Sequence, residues 1–347
     1  MRRRVPGSAL LLPALLLLAG TVACAAAATL PTGAEAAVDD VRHDLVADGV
    51  RLAYWTSRPI APSDVPVVYL HGGPGYNGYS FRMTAGRRLA AHVPMVYLDE
   101  RGSGASERPW NGDYAMPRMV ADVEALRRAL RVERMVVMGH SFGGALAADY
   151  AAAHPEHVAR LILVDAAVDV PEAMASWVGT LAVRYPAIHA RLMAGAEGAA
   201  LREAAQAGDR CRLSRARMAF VGAAQQQMAD SQAFHDGQQF HRVEALAEQR
   251  RLDAASGLRN TGEIGAYVFG DASDFPCYRV AAPERLSMPT LVVVGRHDRA
   301  VGVAPQQALA ARLPDARLVV FEESAHFPYA EETDRFVDTV VDFLGAR

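Results

Sequence analysis

Six short stretches of the chain are apolar at every position instead of at alternate ones: Val65 to Leu70, Pro94 to Leu98, Met135 to Met138, Leu161 to Val164, Leu291 to Val294 and Leu318 to Phe321. A strand that is apolar on both faces must be covered on both faces, and intervening stretches such as Met119 to Leu130 carry helical spacing. The pattern predicts an α/β chain with a mostly parallel central sheet and helices on both sides. Ahead of these runs, Val41 to Ala47 and Val50 to Ser57 flank Asp48-Gly49, a two-residue turn signal that predicts a hairpin. Between Val164 and Thr290 the alternation stops. That segment is rich in Ala, Arg, Gln and Met without strand-like runs, which predicts a helical cap inserted over the sheet. The expected organisation is a first core part over residues 28–168, a cap over 169–285 and a second core part over 286–347.

The first 27 residues follow a different logic. Arg2-Arg3-Arg4 is a basic start, Ala9 to Gly20 a short leucine-rich apolar run, and Ala23 to Ala28 a set of small-residue cleavage sites, together the pattern of a secretory signal. The apolar run is short for a bilayer span, so the expectation is an exported protein, periplasmic or extracellular, with no membrane span. Cys24 in Thr21-Val22-Ala23-Cys24 loosely matches a lipid-attachment sequence, so a lipid anchor and simple cleavage both stay open. Loss of this segment leaves Cys211 and Cys277, for which a disulfide and two free buried thiols are the alternatives. Charged residues make up 22% and the net charge is -3, which gives no reason to expect nucleic acid or an anionic membrane as a partner.

Candidate chemistry centres on Gly139-His140-Ser141-Phe142-Gly143-Gly144, which joins the run ending at Met138 to the alanine-rich stretch Ala145 to Ala153. Strand, tight turn and helix with a serine at the corner form a nucleophile elbow. A serine hydroxyl is a weak nucleophile at neutral pH and needs a base, which in turn needs an acid to orient it. In the chain order serine, acid, histidine, Asp298 follows the run ending at Val294, and His326 follows the run ending at Phe321. Asp165, just past Val164, is the rival acid. The oxyanion of a tetrahedral intermediate needs backbone N–H donors. Phe142, next after the serine, and Gly73 in His71-Gly72-Gly73-Pro74-Gly75 are the candidates. No metal or cofactor is expected: the spacings H-E-x-x-H and C-x-x-C are missing, and so is the phosphate-loop lysine.

These motifs resemble the α/β-hydrolase superfamily and, within it, the proline iminopeptidase-like serine peptidases. His71 to Gly75 is similar to that family's oxyanion loop, and Asp99-Glu100-Arg101-Gly102-Ser103-Gly104-Ala105-Ser106 to its D-x-R-G-x-G-x-S segment, where Asp99 and Arg101 are expected to brace loops. The resemblance covers most of residues 40–168 and 286–347. It implies the α/β-hydrolase fold, a Ser141-His326-Asp298 triad and removal of N-terminal residues from short peptides through an acyl-enzyme. The cap departs from the family, for it lacks the glutamate motifs that bind the substrate's α-amine. Glu172, Glu203, Glu244 and Glu263 are the acidic cap residues available for that role. A carboxylesterase or lactonase using the same machinery is therefore the alternative, and a binding protein that has kept the fold without the chemistry is the reading from a different class.

Overall fold

The computed structural model describes residues 40–258 and 262–345. The signal segment and Cys24 lie outside the described residues. Among the described residues, no helix is long and apolar enough to cross a membrane.

Eight strands form one sheet in the order β1-β2-β4-β3-β5-β6-β7-β8. Strands β1 (Val41–Ala47) and β2 (Val50–Thr56) make the expected antiparallel hairpin, with Ala47 opposite Val50. Both turn residues, Asp48 and Gly49, have positive φ, which matches the strand twist in a two-residue hairpin. Strand β2 also runs antiparallel to β4 (Met95–Leu98), and every later pairing is parallel. The parallel strands are β3 (Val67–Leu70), β4, β5 (Met135–His140), β6 (Val158–Val164), β7 (Thr290–Gly295) and β8 (Ala316–Phe321). Strands β3, β4, β5 and β7 are buried at every position, the cause of their uninterrupted apolar sequence.

Differences from the sequence expectation fall at strand ends. Strand β3 begins at Val67 and not Val65, because Pro66 has no N–H to give; its carbonyl instead accepts from Val136. Strands β6 and β8 begin earlier than their apolar runs. Arg160 in β6 is partly exposed and Ala316 and Arg317 in β8 are exposed, so polar side chains are tolerated there. Two layers of core cover the sheet, one built on Leu70, Val137, Leu146 and Leu163, the other on Tyr69, Phe81, Met138 and Phe336.

Between β6 and β7 the chain is helical, with helices at Val170–Arg184, Pro186–Ala194, Ala196–Ala207, Arg210–Gln225, Ser231–Gln239, Val243–Ser256 and Glu263–Val268. Three of them start at an aspartate. Asp169, Asp209 and Asp230 each accept the N–H three residues on, satisfying one orphan donor of the first turn. The cap has its own apolar centre of Trp177, Leu181, Leu192, Phe220 and Phe234, into which the core contributes Ala300. Cys211 and Cys277 form a disulfide that ties the helix Arg210–Gln225 to the turn Phe275–Cys277. The pairing left open by the sequence is thus resolved in favour of the bridge.

A bridge across a sequence separation of 66 residues removes much freedom from the unfolded chain. Replacing both cysteines by serine is expected to lower stability by about 4 kcal/mol on the loop-entropy model. Thermal denaturation of oxidised wild type against the double variant measures it; equal midpoints would mean the bridge contributes nothing.

Candidate active site

The sheet order reverses at β3: β4 lies on one side of it and β5 on the other. At such a switch point the loops leaving the two strands diverge and open a crevice at their carboxyl ends. The loop after β3 is His71 to Gly75, and the turn after β5 holds Ser141.

Ser141 has φ 54° and ψ -118°, a strained conformation for a residue with a side chain. The turn is tight enough to dictate its neighbours. A Cβ on Gly139 would lie 2.1 Å from the Gly143 carbonyl oxygen, and one on Gly143 would lie 2.4 Å from the carbonyl oxygens of Leu70 and His71. A Cβ on Gly72 would come within 2.8 Å of the Ser141 Cβ, so the backbone of the β3 loop passes directly against the serine. Gly73 and Phe142 line a cavity together with Ser141 and His326. Phe142 opens the helix Phe142–Ala153, and N–H groups of a first turn lack intrahelical partners.

His326 Nδ1 donates to Asp298 Oδ2 at 3.0 Å, with both side chains buried. That bond leaves the lone pair on Nε2, the tautomer a general base requires. Asp298 Oδ1 accepts the N–H groups of Ala300 (2.7 Å) and Val301 (3.1 Å). Burial pushes its carboxyl up, but His326, Asp165 and the Val301 N–H outweigh burial and hold it below the usual carboxylate range. His140 packs its ring 4.7 Å from that of His326 and donates from Nε2 to the His326 carbonyl at 2.8 Å. Burial drives the His140 pKa down to about 3, so no positive charge stands beside His326 from that side.

The rival Asp165 is also close. One oxygen of Asp165, one of Asp298 and a ring nitrogen of His326 lie within 4.8 Å of one another, yet the histidine bonds to Asp298. The D-x-R-G-x-G-x-S segment braces loops as expected. Asp99 accepts the N–H groups of Gly78 and Ala105, Arg101 grips Asp122 at 2.6 and 2.8 Å, and Ser106 Oγ donates to the Asp99 carbonyl. The Glu100 N–H donates to His71 Nε2, which anchors the start of the β3 loop.

Two cavities meet at the serine. One, of about 180 Å³, is mainly apolar, with Phe142, Val170, Met174, Trp177, Phe269 and Phe275 in its wall. The other, of about 260 Å³, is polar, with Tyr76, Gln232, Asp236, Gln249, Arg250 and Asp253. Both contain Gly73, Ser141, Gln239 and His326. The four glutamates singled out from the sequence line neither cavity. Glu172 pairs with Arg210, Glu203 with Arg212 and Glu263 with Arg108, while Glu244 is exposed. The cap presents two aspartates instead. Asp236 pairs with Arg250. Asp253 accepts from the Tyr76 hydroxyl and from Gln249 Nε2, and among the described residues it has no cationic partner. No cap motif marked these residues; only Tyr76, directly after His71 to Gly75, had a positional clue.

The cap is fastened to the site. Glu331 Oε1 accepts the N–H groups of His241 and Arg242 at 2.7 Å, its Oε2 accepts that of Ala325, and the His326 N–H donates to the Gln239 carbonyl. Trp177 Nε1 donates to the Ala300 carbonyl, two residues past Asp298.

Residues 65–333 match the family model described as alpha/beta hydrolase fold. The chain is 26% identical over 295 residues to a proline iminopeptidase of Heyndrickxia coagulans, covering 81% of this chain and 91% of that one. It is 29% identical over 298 residues to a 2-hydroxymuconate semialdehyde hydrolase of Pseudomonas putida, covering 80% and 86%. Among solved structures, a proline iminopeptidase-related protein of Thermus thermophilus shares the fold, with a TM-score of 0.67, 20% identity and coverage of 88% and 98%.

Ser141→Ala is expected to abolish covalent labelling by a fluorophosphonate probe and to reduce turnover by several orders of magnitude, roughly the loss seen when a triad nucleophile is removed. Mass spectrometry of the probe-treated protein reads the first effect. Undiminished labelling of the variant would place the nucleophile elsewhere.

Proposed function

The chain belongs to the alpha/beta hydrolase fold family and is a serine hydrolase, and we propose that it removes N-terminal residues from short peptides in the manner of a proline iminopeptidase. Ser141 attacks the carbonyl carbon of the first residue while His326 Nε2 takes the hydroxyl proton, and the oxyanion that forms rests on the N–H groups of Gly73 and Phe142. His326 then gives the proton to the departing amine, leaving an ester on Ser141. Water attacks that ester with His326 again as base, releasing the amino acid and restoring the hydroxyl. Asp298 holds the imidazole in its tautomer throughout.

Asp253 carries the choice of an amine-bearing substrate. A substrate ammonium buried without a counter-charge costs several kcal/mol, so an aminopeptidase needs a carboxylate that is not already committed to a cation. Asp253 meets that condition in the cavity that reaches Ser141, whereas Asp236 is already paired. The apolar cavity opposite accommodates a small apolar side chain. The similarity to proline iminopeptidases supports the same reading. The apolar cavity also supports the second reading, an esterase or lactonase, and the similarity to 2-hydroxymuconate semialdehyde hydrolase is a further point in its favour.

An exported location is part of the proposal. The leader pattern of Arg2 to Ala28 supports it, and the Cys211–Cys277 bridge suits an oxidising compartment. Intact mass of protein from the producing cell is expected to lack roughly the first 23 to 28 residues. A diacylglyceryl adduct on Cys24 would make it an anchored form, and retention of Arg2 to Leu18 would contradict export.

N-acetylation of a good aminoacyl substrate is expected to lower kcat/KM by at least ~100-fold, about 2.7 kcal/mol of transition-state binding. Burial raises the Asp253 carboxyl above its ordinary value against the pull of Tyr76 and Gln249. Since the ionised form binds the amine, kcat/KM for free-amine substrates should fall with decreasing pH sooner than an ordinary aspartate would dictate. Asp253→Asn should remove the contribution of Asp253 to that decline and leave neutral esters unaffected. Equal rates on free and acetylated substrates would move the assignment to an esterase.

A further inference from the structure

Asp165 stands where β6 ends, fully buried and at φ 40°, a strained backbone for an aspartate. Its Oδ1 accepts the Gly295 N–H at 2.9 Å, at the start of the turn that carries Asp298. Its Oδ2 has no donor of its own, and one of its two carboxylate oxygens lies within 4.8 Å of one of Asp298's. Two buried carboxylates in that relation repel unless one proton lies between them. Their donors decide which keeps it. Asp298 receives two backbone N–H groups and the His326 imidazole, all of which favour its anion, while Asp165 receives a single N–H.

Resting on the assignment of Asp298 as triad acid, we propose that Asp165 is a positioning residue that holds a proton at neutral pH and donates it to the Asp298 carboxylate. The acid at the end of β6 then does two tasks: it pins the turn of residues 295–298 to the sheet, and it supplies Asp298 with another hydrogen bond without adding charge beside the base. The groups facing Asp165 are Asp298 from the β7 turn, His326 from the β8 loop and Glu331 from the helix Pro328–Glu331, and the ring of His140 from the end of β5 packs on that of His326. His140 is neutral, so the negative charge of Asp298 is the close one. Burial first, and that charge second, raise the Asp165 carboxyl well above its ordinary value, which agrees with the donor geometry.

An ionised Asp165 would put a second anion near His326 and raise the pH at which the base gains its proton. A protonated one leaves that pH alone. Asp165→Asn preserves an acceptor for Gly295 and an N–H donor for Asp298, and asparagine tolerates positive φ, so the variant should fold. Its kcat is expected to stay within about threefold of wild type, small beside the ~10⁴ lost in Asp298→Asn, with the acid limb of kcat/KM unshifted. The infrared difference spectrum, wild type minus variant, should show the carbonyl stretch of one protonated carboxyl. Asp165→Ala, which removes donor and acceptor together, should lose roughly 10²-fold in kcat with KM little changed. A shift of the acid limb to lower pH in Asp165→Asn, or absence of the carboxyl band, would show Asp165 to be ionised and overturn the proposal. Wild-type kcat and pH profile in Asp165→Ala would overturn the positioning role. If Asp165→Asn is crippled and Asp298→Asn is not, the triad assignment itself fails, an outcome distinct from both.

Discussion

A corner with no room for a side chain governs this molecule. The chain must leave β5, expose Ser141 and enter a helix within one residue, and it does so by running the backbone of residues 139 to 144 against that of Leu70 and His71. The strain at Ser141 is sustained because Gly139 and Gly143, two residues to either side, have no Cβ to obstruct the turn. The same contact sets the distance between the serine and the Gly72-Gly73 backbone, so nucleophile and candidate oxyanion donor are positioned by one steric fact. The parallel sheet supplies the rest, for its switch point opens a crevice at that corner.

Around the corner, function depends on how many donors each buried carboxyl receives. Asp298 has three and remains an anion, which fixes the His326 tautomer. Burial raises Asp99 to about 6 despite two N–H partners, and its task is bracing the Gly78 and Ala105 backbone. Glu331, also raised by burial, gathers three backbone N–H groups from the cap and the His326 loop. The cap is therefore joined to the His326 loop at the Glu331 carboxyl and by the bond from the His326 N–H to the Gln239 carbonyl, and its helices present the two chemically different cavities from a fixed position.

The core was legible in sequence because burial on both faces of a strand forces unbroken apolar runs, and because tight turns demand glycine or Asp-Gly. The elbow, the candidate acid and the candidate base follow from chain order at strand ends, where local pattern and tertiary position coincide. The substrate cavities were not legible. Asp253 and Asp236 lie on cap helices, where an aspartate facing solvent and one facing a cavity look alike in sequence, and only the packing of helix on core separates them. The glutamates of the cap illustrate the cost of that ambiguity: the ion pairs of Glu172 with Arg210 and Glu263 with Arg108 are set by partners distant in sequence. The relation of Asp165 to Asp298 was half visible, since position past a strand marked both as acids without revealing that the two face each other.

An acyl-enzyme on Ser141 is the intermediate through which the proposed chemistry must pass, and it can be trapped. Enzyme mixed with an aminoacyl substrate, quenched in acid within the first turnovers and digested for peptide mass mapping, should carry the aminoacyl group on Ser141 in wild type and not in Ser141→Ala. An acyl group on another side chain, or product formation in wild type with no covalent intermediate under conditions that trap other serine hydrolases, would contradict the account.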